Sequence, residues 1–109
     1  MLFRSVLENV VSKEYEQITE PTKGASSNAI SKEDQTLLKA LEAISANKPA
    51  VAIDVLQGRN DEKARYYRAL ATLLMDKKKG KQALEALAND TGLEVYFRNK
   101  VKTVLGKLD

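Results

Sequence analysis

The side chains in this sequence that could do chemistry are carboxylates, amines, guanidinium groups and hydroxyls, because histidine and cysteine are both absent. Without imidazole or thiolate, the usual zinc, copper and haem ligand sets cannot be assembled. Ser-His-Asp and Cys-His nucleophilic arrangements are excluded on the same ground. No catalytic residue, metal ligand or cofactor is assigned, and the chain reads as a non-enzyme. Two carboxylate pairs stand out, Glu14 with Glu16 and Glu33 with Asp34. Acid–base work needs one carboxyl in surroundings that raise its pKa. Nothing around these pairs marks burial, so both read as solvated helix faces.

The densest charge run is Lys77, Lys78, Lys79 and Lys81, broken by Gly80. As the expected C-terminus of a helix, it complements the negative end of the helix dipole. Its other reading is a basic patch for phosphate or an acidic protein. No Walker A motif precedes it, and no aromatics interleave it for base stacking. Tyr66 and Tyr67 are adjacent, so on a helix they point about 100° apart. Tyr67 fits a core position, which leaves Tyr66 nearer the surface, where aromatics favour partner contact. Tyr96 and Phe97 repeat the pattern, with Phe97 inside.

Those residues sit in 109 residues of ordinary globular balance, 43% hydrophobic and 30% charged. That length suits one domain of modest stability. Residues 61–109 carry 11 Lys/Arg against 7 Asp/Glu, and residues 1–60 carry 7 against 8. The mildly basic second half is a weak pointer to an acidic partner. No stretch approaches the roughly 20 apolar residues of a membrane-spanning helix. The opening MLFRSVLENVV places Glu8 inside its apolar run and makes a poor signal peptide. A cytoplasmic location is expected, or a periplasmic one if a membrane anchor has been removed.

The elements that position the chemistry are helical. Ala, Leu, Lys and Glu dominate, and they lose little rotamer freedom in a helix. Residues 1–20 form an N-terminal amphipathic helix with Phe3, Val6, Leu7, Val10, Val11 and Ile18 largely on one side, ended by Pro21. Residues 21–31 form a flexible linker. A helical domain over 32–109 follows. Ser31 caps its first helix, whose stripe is Leu37, Leu41 and Ile44. Pro49 opens a short helix with Ala52, Val55 and Leu56, closed by Gly58. Residues 60–62 supply a cap for a helix carrying Ala64, Tyr67, Leu70, Ala71 and Leu74. Another carries Ala83, Leu84 and Leu87. Thr91 and Glu94 suit a capping box for a last helix striped by Phe97, Val101, Val104, Leu105 and Leu108. The loops of about three residues make antiparallel neighbours of the second and third helices, and of the fourth and fifth.

Internal similarity ties these helices together. LLKALEAISANKPAVAIDVL from Leu37 and YRALATLLMDKKKGKQALEAL from Tyr67 share an apolar helix, a short Lys/Asn turn and an Ala-led helix ending in Leu. Ala52 and Ala83 are equivalent, 31 residues apart. Small residues there let two helix backbones approach. The pattern resembles the tetratricopeptide repeat (TPR): Tyr67, Leu70, Ala71, Leu74, Ala83 and Leu87 match its spacing, and Leu37, Ala40, Leu41 and Ile44 match it in part. The tail ALANDTGLEVYFRNKVKTVLGKL is similar to the C-terminal end of bacterial YfgM-like proteins, membrane-anchored translocon accessories. The length and the spacing from Tyr67 to Leu108 are similar to the YscG-type chaperones of type III secretion.

The resemblance implies an all-α fold of TPR-like antiparallel hairpins with a C-terminal capping helix. It implies a non-catalytic adaptor or small chaperone-like scaffold in bacterial secretion or envelope biogenesis. The partner would be another protein, presented as a peptide segment or an amphipathic helix. Arg65, Arg68 and Thr72 then lie on the helix that lines the family's concave groove, and with Tyr66 they are candidate partner contacts or simple surface. The family's carboxylate clamp has Asn where Thr72 stands here. Two repeats bury too little surface alone, since roughly three are needed. The last helix must complete the core, and residues 3–18 must pack in cis, join a second copy or dock on a partner. A membrane contact would come only through a partner or a missing anchor. The alternative function is a basic-surface helical nucleic-acid-binding protein, which is not expected here.

Overall fold

The computed structural model describes residues 3–19 and 32–108. The expected linker over 21–31, the stop at Pro21, the Ser31 cap and the side chains of Phe3 and Glu33 lie outside what is described. The described residues are all-helical: α1 (Phe3–Thr19), α2 (Lys32–Ser45), α3 (Pro49–Val55), α4 (Glu62–Met75), α5 (Lys77–Ala88) and α6 (Val95–Leu108).

Local chemistry sets the boundaries. Asn47 ends the α2 turn at φ 64°. Lys48 N–H reaches the Ala43 carbonyl at 2.8 Å and Asn47 N–H reaches Ile44 at 3.0 Å. That bond pair is a Schellman closure, for which Asn tolerates the left-handed backbone. Pro49 follows in the first turn of α3. Asp61 caps α4 by accepting from the Ala64 amide. Asp76 alone separates α4 from α5, and its carboxylate accepts from the Lys78 and Lys79 amides at 3.0 and 3.2 Å.

This junction corrects two expectations. Lys77, Lys78 and Lys79 open α5 rather than close α4, so they sit at the end of a helix dipole that disfavours cations. Asp76 supplies the compensating negative charge. The close crossing of α4 and α5 is made by Gly80, not Ala83. A Cβ on Gly80 would lie 2.5 Å from the Leu73 backbone nitrogen. A one-residue connection forces that approach, and only a residue without a side chain permits it. Ala83 is half-buried beside the core, whereas Ala52 is fully buried.

The start of α6 also differs from expectation. The first carbonyl acceptor is Glu94, bonded by Arg98 N–H at 3.1 Å. Thr91 lies in the preceding turn, exposed. Asp90 organises that turn instead: its side chain accepts from Gly92 N–H at 2.8 Å and its carbonyl from Leu93 N–H at 3.2 Å.

Packing runs α2 on α3, α3 on α4, α4 on α5 and α5 on α6, with α2 also on α4 and α1 on both α2 and α6. The stripe of α1, Val6, Leu7, Val10, Val11 and Ile18, is buried within the chain. The α4 helix is central, and Ala64, Tyr66, Tyr67, Ala69, Leu70, Ala71 and Leu73 are all buried.

The Gly80 contact makes a paired prediction. Gly80→Ala is expected to lower stability by roughly 1–3 kcal/mol, because overpacking outweighs the roughly 1 kcal/mol of helix propensity that Ala brings. Gly106→Ala, whose Cβ would meet nothing within 4 Å, keeps only the propensity gain and is expected to raise stability. Urea denaturation of both variants checks the opposite signs.

Candidate functional site

Glu14 is the buried charged residue of the described core, 3% exposed. This corrects its reading as part of a solvated face; Glu16 is exposed and Asp34 half-buried. On α1, Glu14 falls between Val10 and Ile18 at four-residue spacing, so the stripe that buries those two must bury it. Its carboxylate accepts from the Tyr67 hydroxyl at 2.9 Å. It pairs with the Lys100 ammonium at 2.7 Å. Lys100 also donates to Gln17 Oε1 at 3.0 Å. Three aromatic rings stand around that ammonium: Tyr96 at 4.8 Å, Phe97 at 5.5 Å and Tyr66 at 6.0 Å to their centroids. Ring faces attract cations at such distances. The cluster therefore joins α1, α4 and α6 through one satisfied charge pair.

Tyr66 is 1% exposed, which corrects its expected surface position. On a lone hairpin its face of α4 would meet water; here α1 and α6 cover it. Its ring tilts 46° against Tyr67 at 5.8 Å. Burial first, and the nearby Glu14 carboxylate second, push both phenols well above their ordinary value of 10.0. Both therefore remain hydrogen-bond donors and neither serves as a base. Tyr67 has Glu14 to donate to, but the Tyr66 hydroxyl is buried with no hydrogen-bond partner in the protein. Tyr66, Glu14 and Lys100 line a groove of about 150 Å³ between α1 and α6, with Lys13 and Lys107 among its other walls.

The remaining candidate contacts serve the fold's own turns. Arg65 pairs with Asp90 at 2.9 Å, both side chains about one-third exposed. That guanidinium, with the Gly92 amide second, holds the Asp90 carboxyl below its ordinary 3.8. Arg68 donates to the Leu56 carbonyl at 3.1 Å and ties α4 to the end of α3. Thr72 donates to the Arg68 carbonyl at 2.8 Å within its own helix. The structure thus places Arg65, Arg68 and Thr72 along one side of α4, half-buried, and separates them from Tyr66. Lys77, Lys78 and Lys79 are exposed and Lys81 half-buried.

Sequence reasoning missed Glu14, Lys100, Asp90 and Gly80. The signal for the first two was present. A lone acid on the Val10–Ile18 stripe and a base three residues after Phe97 and four before Val104, on the apolar face of the last helix, are each out of pattern. Among the described residues, no three Asp or Glu side chains gather as metal ligands, and no helix is long and apolar enough to cross a membrane. No protein-family model, curated protein or solved structure matches this chain.

Glu14→Ala strands the Lys100 ammonium among rings, and removing one partner of a buried pair costs about 3 kcal/mol. Adding Lys100→Met is expected to recover much of that loss; equal melting points for the single and double variants would refute the coupling. The Asp90 carboxyl titrates lower folded than unfolded, so its contribution is present above 3.8 and lost as the pH falls through its folded value. The melting-point gap between wild type and Asp90→Asn is therefore expected to close on acidification below 3.8.

Proposed function

We propose that this chain is a non-catalytic protein–protein interaction module, an adaptor or small chaperone-like scaffold built of TPR-like antiparallel hairpins. In this reading α2/α3 and α4/α5 are the hairpins and α6 caps the stack. Support comes from the order of packing: each helix meets its sequence neighbour, and α2 meets α4. Contacts confined to neighbouring pairs are the mark of stacked repeats. The first members of the pairs then share one side of the stack with α6.

The observation that carries the reading is the seat of α1. It packs on α2 and α6, and its Glu14 reaches Tyr67 of α4 and Lys100 of α6. An amphipathic helix lying across several helices is the geometry by which groove proteins capture a partner helix. Here α1 fills that groove in cis, and a partner helix with a comparable apolar stripe is the natural competitor. Val95 and Tyr96, 60% and 57% exposed at the start of α6, extend the apolar surface beyond α1.

Deleting residues 1–30 removes Glu14 together with the buried stripe of α1, so it is expected to cost more than the Glu14→Ala change alone and to lower the melting temperature by at least about 12 °C. A synthetic peptide of residues 3–19 added in trans is expected to restore it in a saturable way. An unchanged melt, or no rescue, would count against a helix-accepting groove. A steeply salt-dependent shift with mixed-sequence RNA or DNA would instead favour the nucleic-acid reading.

A further inference from the structure

The polar groups that meet the Lys100 ammonium both belong to α1. Among the described residues they are Gln17 Oε1 at 3.0 Å and the Glu14 carboxylate at 2.7 Å. The Tyr67 hydroxyl, on α4, likewise gives its proton to Glu14, at 2.9 Å. The wall that α4 and α6 present to α1 thus brings two donors to one point, and their acceptors come from α1. Each donor takes a different oxygen of the carboxylate, Tyr67 the Oε1 and Lys100 the Oε2. An amide at that place has one acceptor oxygen for two donors, and an apolar side chain has none. An ammonium left inside a fold without its anion is strongly destabilising.

We infer that the seat of α1 selects an amphipathic helix of another protein by a glutamate on its apolar stripe, with Lys100 and Tyr67 reading the carboxylate, and that α1 is the resident helix such a partner displaces. This rests on the reading of that seat as a helix-accepting groove. The helix it fits has branched aliphatic residues three and four positions before the acid and four after it, as Val11, Val10 and Ile18 flank Glu14. A helix with an unbroken apolar stripe buries as much area but strands both donors. The pair therefore works by rejecting the wrong stripe as much as by attracting the right one. The α1 helix runs antiparallel to α6, since Gln17 meets Lys100 while Val10 shares a groove with Val104 and Lys107. Its C-terminal end consequently stops near the start of α6, where Val95 and Tyr96 are exposed. A longer partner helix gains apolar contact there that α1 does not make. The α1 of a second copy offers only the contacts that the cis helix already has, so a different protein is the occupant this surface favours.

Fluorescein-labelled peptides of residues 3–19, titrated with the full chain carrying Glu14→Gln and read by anisotropy, test this. The Glu14→Gln change loosens the resident helix and keeps an acceptor for one of the two donors. The native peptide is expected to bind saturably. A peptide with Glu14→Gln and Ser12→Glu keeps the net charge but moves the acid to an exposed position off the stripe. It is expected to bind at least about tenfold more weakly, the worth of one hydrogen bond to a charged group. Adding Lys100→Met to the chain is expected to remove most of that difference. The wild-type chain, which needs no substitution, is expected to rank the two peptides in the same order at weaker affinity, because α1 competes in cis at high effective concentration. Equal affinity of the two peptides, or a preference undiminished by Lys100→Met, would overturn selection by the acid and leave the helix-accepting groove standing. Absence of saturable binding by either peptide would overturn both. A wild-type chain that sediments as a dimer and is split by the native peptide would assign the seat to the α1 of a second copy and overturn the choice of a partner protein.

Discussion

A carboxylate taken out of water has to be met by a cation and by donors, and the position of α1 follows from how Glu14 meets that demand. The Lys100 ammonium and the Tyr67 hydroxyl come from two different helices. An apolar stripe of valines and leucines packs almost as well after a slide of one turn, because hydrophobic contact has no direction. A buried acid does not, since a shift of about 5 Å strands both charges. The pair contributes little net stability by itself against an apolar equivalent. What it supplies is register: one rotation and one height for α1 against α4 and α6. The rings of Tyr66, Tyr96 and Phe97 then enclose the lysine and make its burial tolerable.

That constraint explains which parts of the molecule could be read from the chain. Helix existence was legible wherever apolar residues recurred at three and four, as in Leu37, Leu41 and Ile44 or in Val101, Val104 and Leu108. The Pro49 start and the Asp61 cap followed from local hydrogen-bond needs. Tyr66 was misplaced because its neighbours in space are distant in sequence. Considered on its own hairpin, its face is exterior; α1, more than 40 residues earlier, turns it into interior. Glu14 was misread for the same reason, although the acid interrupting an apolar stripe was visible.

The lysine run was misplaced through a different failing. Composition alone gives Lys77–Lys79 to a helix C-terminus, and the dipole argument agrees. The geometry of a one-residue junction overrides it, because Gly80 must lie against Leu73 and so must already be helical. Asp76 makes the inverted charge tolerable. The candidate contacts Arg65 and Arg68 were legible as polar positions on α4, but their partners, Asp90 and the Leu56 carbonyl, depend on how the connecting turns fold back.

Asp76 has a consequence for how the molecule breathes. One residue both finishes α4, through its N–H to the Thr72 carbonyl, and begins α5, through its carboxylate. Fraying at either terminus undoes the other, and the backbone contact at Gly80 leaves no slack between them. Asp76 therefore couples the facing ends of the two helices, and an opening that begins at one is felt by the other.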